Sequence, residues 1–298
     1  MSDVTMRRRA VMGGLAALIA VPAMGARRRD GGPLGGVRLR DAVAECERAS
    51  GGRLGVAVLD TATGTRFGWR GAERFPLCST FKLLLCAAIL RRVDTGVESL
   101  GRMIPVARAD IVPHAPYTGQ QVGRSVTVAD LCRATMVLSD NAAANLLLPL
   151  IGGPAGIGAF ARTLGDPATR LDRYEVALGA CTPGDPRDTT TPEGMLTCMT
   201  PLLTGTALAP PSRAMLLGWL ADNRTGAGKL AAGLPQGWRI GDKTGAGGYG
   251  TANDIAILWP PQRAPVLIAS YLTQTAASAE LRDATHANVA RAVAQAIG

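Results

Sequence analysis

The chain has 298 residues, of which 47% are hydrophobic and only 4% are aromatic. This length and this hydrophobic fraction suffice for one large core or two smaller ones. The formal charge of +9 is partly concentrated in arginines at residues 7–9 and 27–29, and no basic patch is interleaved with aromatic residues. These features argue against nucleic-acid binding and are compatible with attraction of anionic small molecules.

The first 26 residues predict an export signal. Arginines at 7–9 precede an apolar stretch at 11–23, and small residues follow at 23–26, the usual order in a cleaved signal peptide. The stretch is too short to predict a membrane span, and its adjacent arginines also fit a twin-arginine signal. Cleavage near residue 26 would lower the formal charge from +9 to +7. We expect an exported protein, periplasmic or secreted, without stable membrane association once cleaved; an uncleaved basic arm is the alternative.

Hydrophobic periodicity and turn residues predict strands at both chain ends and helices between them. The predicted strands are residues 54–59, 65–70, 255–259 and 266–273. The predicted helices are residues 81–94, 128–138, 142–150, 157–164, 192–203, 211–223 and 279–297. These elements favour an α/β fold (an α+β sandwich), with one antiparallel sheet built from both chain ends, flanking helices and an inserted all-α domain. The predicted boundaries are 35–70 and 222–298 for the α/β domain, and 71–221 for the all-α domain.

Ser79 and Lys82 stand at the start of the apolar helix predicted at residues 81–94. Residues three apart share one face of a helical turn, so the Lys82 ammonium is expected to reach the Ser79 hydroxyl. A serine hydroxyl needs a neighbouring base to act as a nucleophile, and a helix N-terminus offers backbone donors to an oxyanion. The pair therefore predicts serine acyl transfer.

Two further polar stretches follow along the chain, Ser139-Asp140-Asn141 and Lys243-Thr244-Gly245. Taken singly, the first stretch is typical of a helix cap followed by a turn residue. The second stretch is typical of a solvated lysine before a bend. Their order behind Ser79 and Lys82 favours a functional interpretation.

In this order, Ser79-Thr80-Phe81-Lys82, Ser139-Asp140-Asn141 and Lys243-Thr244-Gly245 resemble the signature motifs of class A β-lactamases and penicillin-binding proteins. A fourth segment, residues 170–175, resembles the loop that carries the water-activating glutamate of the class A enzymes, here Glu175. The similarity extends from residue 54 to the C-terminus. It implies an active site in a cleft between the two domains, with Lys243 beside Ser79.

The resemblance implies a role for each residue. Ser79 attacks the lactam carbonyl, and the backbone N–H groups of Ser79 and Ala246 form the oxyanion hole. Lys82, Glu175 acting through water, or both remove the serine proton, and this choice stays open. Ser139 relays a proton to the lactam nitrogen, and Glu175 activates the water that cleaves the acyl-enzyme. The implied substrate-binding residues are Asn141, Lys243, Thr244, Gly245, Ala246 and, at the cleft rim, His114, for which a solvated loop histidine is the alternative.

Residues 165–192, called the glutamate loop below, are rich in turn formers and weakly periodic, which predicts a long ordered loop. Arg173 and Asp188 resemble the ion pair that closes this loop in the family. Many class A enzymes have an asparagine four residues after the glutamate that helps to hold the deacylating water, whereas this chain has Gly179. We expect slow deacylation of some substrates unless a water fills the space.

Six cysteines are free thiols in a reducing compartment and can pair after export. The resemblance favours a Cys86–Cys132 bridge between the nucleophile helix and a neighbouring helix. Some relatives with carbapenemase activity bridge the residue before the serine to a cysteine just after Lys-Thr-Gly. Cys78 is present here, but residues 246–248 contain no cysteine, so that bridge is not expected. The pairing of Cys46, Cys78, Cys181 and Cys198 is left open.

The sequence offers no pattern for binding a metal or a cofactor. Its only histidines are His114 and His286, and it has no Cys-x-x-Cys or His-x-x-x-His pattern, so neither a metal site nor a cofactor is expected.

One branch of the family carries an arginine where this chain has Ala252, and Lys229 or Arg282 is the candidate substitute. We expect a monomer that acts on a small β-lactam.

Two alternatives to a β-lactamase remain. A penicillin-binding D-Ala-D-Ala peptidase or transpeptidase shares the three motifs, but Glu175 and its loop argue against it. A non-catalytic β-lactam sensor acylates once and signals, and the lack of an evident anchor or second domain argues against that alternative.

Overall fold

The computed structural model describes residues 1–2, 34 and 36–297. The predicted export signal at residues 1–26 therefore lies almost entirely outside the described residues. Within the described part, no single helix is long and apolar enough to cross a membrane, although one bent pair, Asn141–Ile151 with Ala155–Thr163, passes by length and composition.

Helices and strands occur in short consecutive groups along the described chain. The helices are α1 (Val37–Ser50), α2 (Phe81–Asp94), α3 (Val128–Val137), α4 (Asn141–Leu147), α5 (Ala155–Thr163), α6 (Pro192–Leu203), α7 (Pro210–Ala221) and α8 (Ala279–Ile297). The strands are β1 (Arg53–Asp60), β2 (Arg66–Trp69), β3 (Phe75–Pro76), β4 (Met103–Pro105), β5 (Ser125–Thr127), β6 (Thr189–Thr190), β7 (Arg239–Ala246), β8 (Ala252–Trp259) and β9 (Val266–Thr273). A 3₁₀ turn at Cys78–Thr80, called the nucleophile turn below, leads directly into α2.

Both chain ends meet in one five-stranded antiparallel sheet with the order β2-β1-β9-β8-β7. The register places Val56 of β1 opposite Ser270 of β9, and Lys243 of β7 opposite Ile255 of β8. All eight residues of β9 are buried, as expected for a central strand that is covered on both faces. This sheet and its flanking helices confirm the predicted fold class.

Helices cover the two faces of the sheet differently. On one face, α1 and α8 pack over β1 and β9 through side chains that include Val43, Val58 and Val293. On the other face, α6 lies against β9 and β1, and α7 lies against β7. The core on that side continues into the helical region around α2, in which every residue from Phe81 to Leu90 is buried. The nucleophile turn therefore precedes a helix that is buried in the core.

Several features differ from the sequence-based expectation, and one of them is strand β7, which was not among the predicted strands. Helix α1 was not predicted, because most of its residues are charged or small; only Leu39, Val43, Cys46 and Ser50 are buried, and their helical spacing is the one signal. In addition, α6 and α7 pack on the sheet although the predicted all-α domain 71–221 includes them. The division into two domains stays a prediction.

Candidate active site

The nucleophile turn and the first turn of α2 bring Ser79 and Lys82 together. Lys82 Nζ donates to Ser79 Oγ at 3.0 Å, to the Ser139 carbonyl at 2.9 Å and to Asn141 Oδ1 at 2.6 Å. The Lys82 side chain is fully buried, and this burial lowers its pKa against the opposing effect of Glu175. A lowered pKa makes the neutral amine more accessible, which a proton acceptor for Ser79 requires.

Glu175 reaches the same point from the glutamate loop. The Ser79 hydroxyl donates to Glu175 Oε1 at 3.3 Å, and Lys82 Nζ lies 3.2 Å from the same oxygen. The glutamate side chain is only 6% exposed. Both candidate bases are therefore within hydrogen-bonding reach of the serine hydroxyl, and the geometry does not choose between them.

Asn145 holds the backbone of Glu175 and was missed by the sequence reasoning. Its Nδ2 donates to the Glu175 carbonyl at 2.8 Å, and the Glu175 N–H donates to Asn145 Oδ1 at 3.0 Å. Asn145 lies four residues after Asn141 in α4, so both side chains share one helix face. That spacing was the available signal.

The Arg173–Asp188 pair closes the glutamate loop. Arg173 Nε donates to Asp188 Oδ2 at 2.5 Å, and the N–H groups of Asp172 and Arg173 donate to Asp188 Oδ1 at 2.7 and 2.9 Å. The Asp188 side chain is 1% exposed. The Leu77 N–H donates to the Asp188 carbonyl at 2.8 Å, so this residue also joins the loop to the segment before the nucleophile.

Asp140 organises the middle motif without facing the nucleophile. Its buried carboxylate accepts from the Tyr117 N–H at 2.9 Å, from the Thr118 N–H at 3.0 Å and hydroxyl at 2.8 Å, and from the Ala143 N–H at 2.9 Å. It thus caps α4 and fixes the loop at residues 117–118. The capping interpretation suits Asp140, while the residues on either side of it bond to Lys82.

His114 lies beside Asn141 at an exposed position. Its carbonyl accepts from the Asn141 N–H at 2.9 Å, and its ring Nε2 lies 2.9 Å from the Leu138 carbonyl. The Asn141 amide donates to the Pro113 carbonyl at 2.9 Å. The loop at residues 113–114 therefore orients Asn141.

Strand β7 supplies the third motif. Lys243 Nζ donates to Ser139 Oγ at 3.1 Å and to the Thr244 carbonyl at 2.9 Å. Burial and the nearby Lys82 charge lower the pKa of Lys243 to about 7. The Thr244 hydroxyl bonds to that of Thr225 at 2.5 Å, a neighbour that the sequence did not indicate. Hydroxyl and ammonium groups next to Ser139 suit an anionic carboxylate.

Gly245 lets β7 approach the nucleophile turn. A Cβ at this position would lie 3.0 Å from Cys78 Cβ and 3.1 Å from the Ser79 nitrogen, too close for most side chains. The next residue, Ala246, is exposed at the end of β7. Glycine therefore avoids a tight contact where the strand and the turn meet.

Three positions bear on the departures from the family pattern. A Cβ at Gly179 would have no atom within 4 Å, so the glycine leaves open space in the loop. Lys229 forms an ion pair with Asp283, so it is not a free cation for a substrate. Arg282 is half-buried on α8.

All six cysteines are free thiols. Cys86 Sγ lies 3.7 Å from the Cys132 carbonyl oxygen and donates to it. The disulfide implied by the resemblance is thus not formed in this structure, although the two residues are neighbours. Within the residues described, no group of three or more His, Cys, Asp or Glu side chains is placed to hold a metal ion.

Comparison with known proteins agrees with this geometry. The profile of the family described as "Beta-lactamase enzyme family" matches residues 38–297. The β-lactamase CTX-M-25 of Escherichia coli is 45% identical, covering 84% of this chain and 86% of that protein, and the β-lactamase L2 of Stenotrophomonas maltophilia is 46% identical, covering 86% and 84%.

Solved structures show the same relationship. An ancestral class A β-lactamase superposes with a TM-score of 0.85 at 56% identity, covering 87% of this chain and 99% of that one. A β-lactamase from Xanthomonas campestris superposes with a TM-score of 0.86 at 51% identity, covering 90% and 99%. The chain belongs to the class A serine β-lactamases.

Proposed function

We propose that this class A enzyme hydrolyses the amide of penicillins and cephalosporins through an acyl-enzyme on Ser79, which water activated by Glu175 then cleaves. One observation carries the proposal: Lys82 Nζ and Glu175 Oε1 lie 3.0 and 3.3 Å from the Ser79 hydroxyl oxygen, from opposite elements. A nucleophile with two adjacent proton acceptors has what both half-reactions need.

Acylation begins with attack of Ser79 Oγ on the lactam carbonyl carbon as its proton leaves to Lys82 or Glu175. The oxyanion is stabilised by the N–H groups of Ser79 and Ala246, which the close approach at Gly245 supports. As the C–N bond breaks, Ser139 donates its proton to the lactam nitrogen. Lys82, 3.4 Å from Ser139 Oγ, can replace that proton.

Substrate positioning falls to the other motif residues. Lys243 and Thr244 face the Ser139 side of the site and suit the substrate carboxylate, with the Thr225 hydroxyl bonded to Thr244. Asn141 suits the substrate amide side chain, since its amide group can both donate and accept.

Deacylation belongs to Glu175, and this step separates the proposal from its alternative. A penicillin-binding peptidase shares the three motifs, but here Asn145 and the Arg173–Asp188 pair hold a buried glutamate against the nucleophile. This arrangement favours turnover over trapping. We also propose that the enzyme is exported and that it acts as a monomer.

The test compares the burst and the steady-state rate of a chromogenic cephalosporin. The unmodified enzyme should turn over continuously, Glu175→Gln should give one burst per enzyme molecule, and Ser79→Ala should give none. A single burst from the unmodified enzyme would indicate a penicillin-binding protein or a sensor. Continuous turnover by Glu175→Gln at the unmodified rate would remove Glu175 from deacylation.

A further inference from the structure

Two cysteines from distant parts of the chain face each other behind the nucleophile. Cys78 immediately precedes Ser79 in the nucleophile turn, and Cys181 lies in the glutamate loop, 103 residues further along. Their sulfur atoms are 3.4 Å apart, and the two residues are 1% and 6% exposed. A disulfide bond is about 2.05 Å long, so the sulfurs need to approach by about 1.4 Å to bond.

The surrounding backbone leaves room for both sulfurs. A Cβ at Gly247 would lie 2.5 Å from Cys181 Sγ and 2.9 Å from Cys78 Sγ, so only a glycine fits beside the pair. The neighbouring Gly248 N–H donates to the Gly179 carbonyl at 2.9 Å, which holds the glutamate loop on the end of β7. Backbone contacts between the glutamate loop and the end of β7 therefore help to hold the two thiols together.

The backbone of both cysteines is in an uncommon conformation. Their φ angles are +43° for Cys78 and +53° for Cys181, in the left-handed region that side-chain-bearing residues rarely adopt. Such conformations persist where the surrounding structure enforces them. The Leu77 N–H, bonded to the Asp188 carbonyl at 2.8 Å, contributes to that enforcement on the Cys78 side.

We propose that Cys78 and Cys181 are a redox modification site and form a disulfide that ties the nucleophile turn to the glutamate loop in an oxidising compartment. The site differs from the Cys86–Cys132 pair and does not depend on which substrate the enzyme hydrolyses.

The oxidant is a disulfide compound that undergoes thiol exchange, and Cys181 is the residue it meets. Cys181 lines a cavity of about 150 Å³ whose walls include Arg53, Arg74 and Asp185, whereas Cys78 lies behind it. A hydrogen bond with Cys78 lowers the pKa of the Cys181 thiol against the effect of burial, while that bond and burial raise the pKa of Cys78. Since the thiolate is the nucleophile, Cys181 reacts first.

The exchange then balances in two steps. The Cys181 thiolate attacks one sulfur of the oxidant, which leaves a mixed disulfide and releases one oxidant thiolate. Cys78 loses its proton to a released thiolate, and its sulfur attacks Cys181 Sγ and displaces the second thiolate. The two cysteines together lose two electrons and two protons, and the oxidant becomes two thiols.

Peptide mapping of the purified full chain tests the proposal. The protein is equilibrated with oxidised glutathione or with dithiothreitol, blocked with N-ethylmaleimide and digested with trypsin without reduction. We expect tryptic peptides 75–82 and 174–187 to be linked after oxidation and separate after reduction. Peptides 83–91 and 125–133 report on Cys86 and Cys132 in the same digest and keep the two pairs distinct.

Thermal unfolding supplies an independent measurement. A cross-link that closes a loop of about 100 residues should raise the Tm of the oxidised enzyme by roughly 5–15 °C. Cys181→Ala and Cys78→Ala should each lose the link and the part of the shift that depends on it, while the control Cys46→Ala should keep both.

The proposal fails if peptides 75–82 and 174–187 are recovered only as N-ethylmaleimide adducts after oxidation. It also fails if Cys181 ends as a stable mixed disulfide with glutathione, or if Cys181→Ala retains the full shift in Tm. The peptide map of the unmodified chain decides the matter even if a variant does not fold.

Discussion

Replacing Arg173 with alanine is expected to loosen the glutamate loop without unfolding the enzyme. Asp188 is 1% exposed and loses its guanidinium partner, but it keeps the N–H donors of Asp172 and Arg173 at 2.7 and 2.9 Å. Stripping one partner from a fully buried ion pair costs about 3–5 kcal/mol. Because the Arg173 side chain is 21% exposed and the carboxylate stays partly satisfied, we expect about 2 kcal/mol.

Hydrogen exchange of peptides within residues 165–192 measures this effect. A loss of 2 kcal/mol corresponds to roughly 30-fold weaker protection, since each 1.4 kcal/mol is tenfold. Deacylation should slow as well, because an open loop removes Glu175 from the acyl-enzyme. The burst amplitude, which reports acylation, should change less than the steady-state rate.

Arg187→Ala is the matched control in the same loop. Arg187 Nη2 lies 2.8 Å from Asp185 Oδ2, and the arginine is 52% exposed, so that pair is worth about 0–1 kcal/mol. Equal loss of protection in Arg173→Ala and Arg187→Ala, or unchanged protection in Arg173→Ala, would refute the argument that burial makes the Arg173–Asp188 pair dominant.

Three further predictions concern single residues. Gly179→Asn places an amide in open space. We expect roughly fivefold faster deacylation of slow substrates in stopped-flow measurements, which corresponds to about one hydrogen bond. An equal gain from Gly179→Ala would contradict this prediction. Asn145→Ala removes both hydrogen bonds to the Glu175 backbone. At about 1 kcal/mol per bond, deacylation should slow roughly 30-fold while acylation bursts persist. An unchanged steady-state rate would argue against a role of Asn145 in positioning Glu175. Lys243, with a pKa of about 7, loses its charge as pH rises through 7, so KM for substrates with a carboxylate should increase above that pH, and a KM that falls there would reject the assignment. The same group has the opposite effect on stability: between pH 7 and about 10 the unfolded chain binds the extra proton, so the contribution of Lys243 to stability rises with pH.

Local sequence predicted much of the architecture. The apolar run that begins at Phe81 predicted α2 with its observed bounds, and the apolar run at residues 266–273 predicted β9. These elements follow from periodicity, because a buried helix or a central strand needs apolar side chains at nearly every position. Helix α1 is buried along one narrow stripe only, so the same reasoning missed it.

The candidate site divides in the same way. The three-residue spacing from Ser79 to Lys82 predicted their contact, because one helical turn determines it. Ser79 and Glu175 are 96 residues apart, and Ser139 and Lys243 are 104 apart; motif order suggested these meetings through resemblance alone. The bonds of Asn145 to Glu175, the Thr225–Thr244 contact and the approach of Cys181 to Cys78 had no such motif.

The sequence by itself therefore determined the helices and strands with strong periodicity and the chemical types gathered in the three motifs. Only the tertiary structure decided how close Glu175 comes to Ser79, which amide holds Glu175 and which thiol faces Cys78. The physical reason is that side-chain periodicity reports burial along one element, whereas these distances depend on how β7, α2 and the glutamate loop pack against one another across about 100 residues of intervening chain.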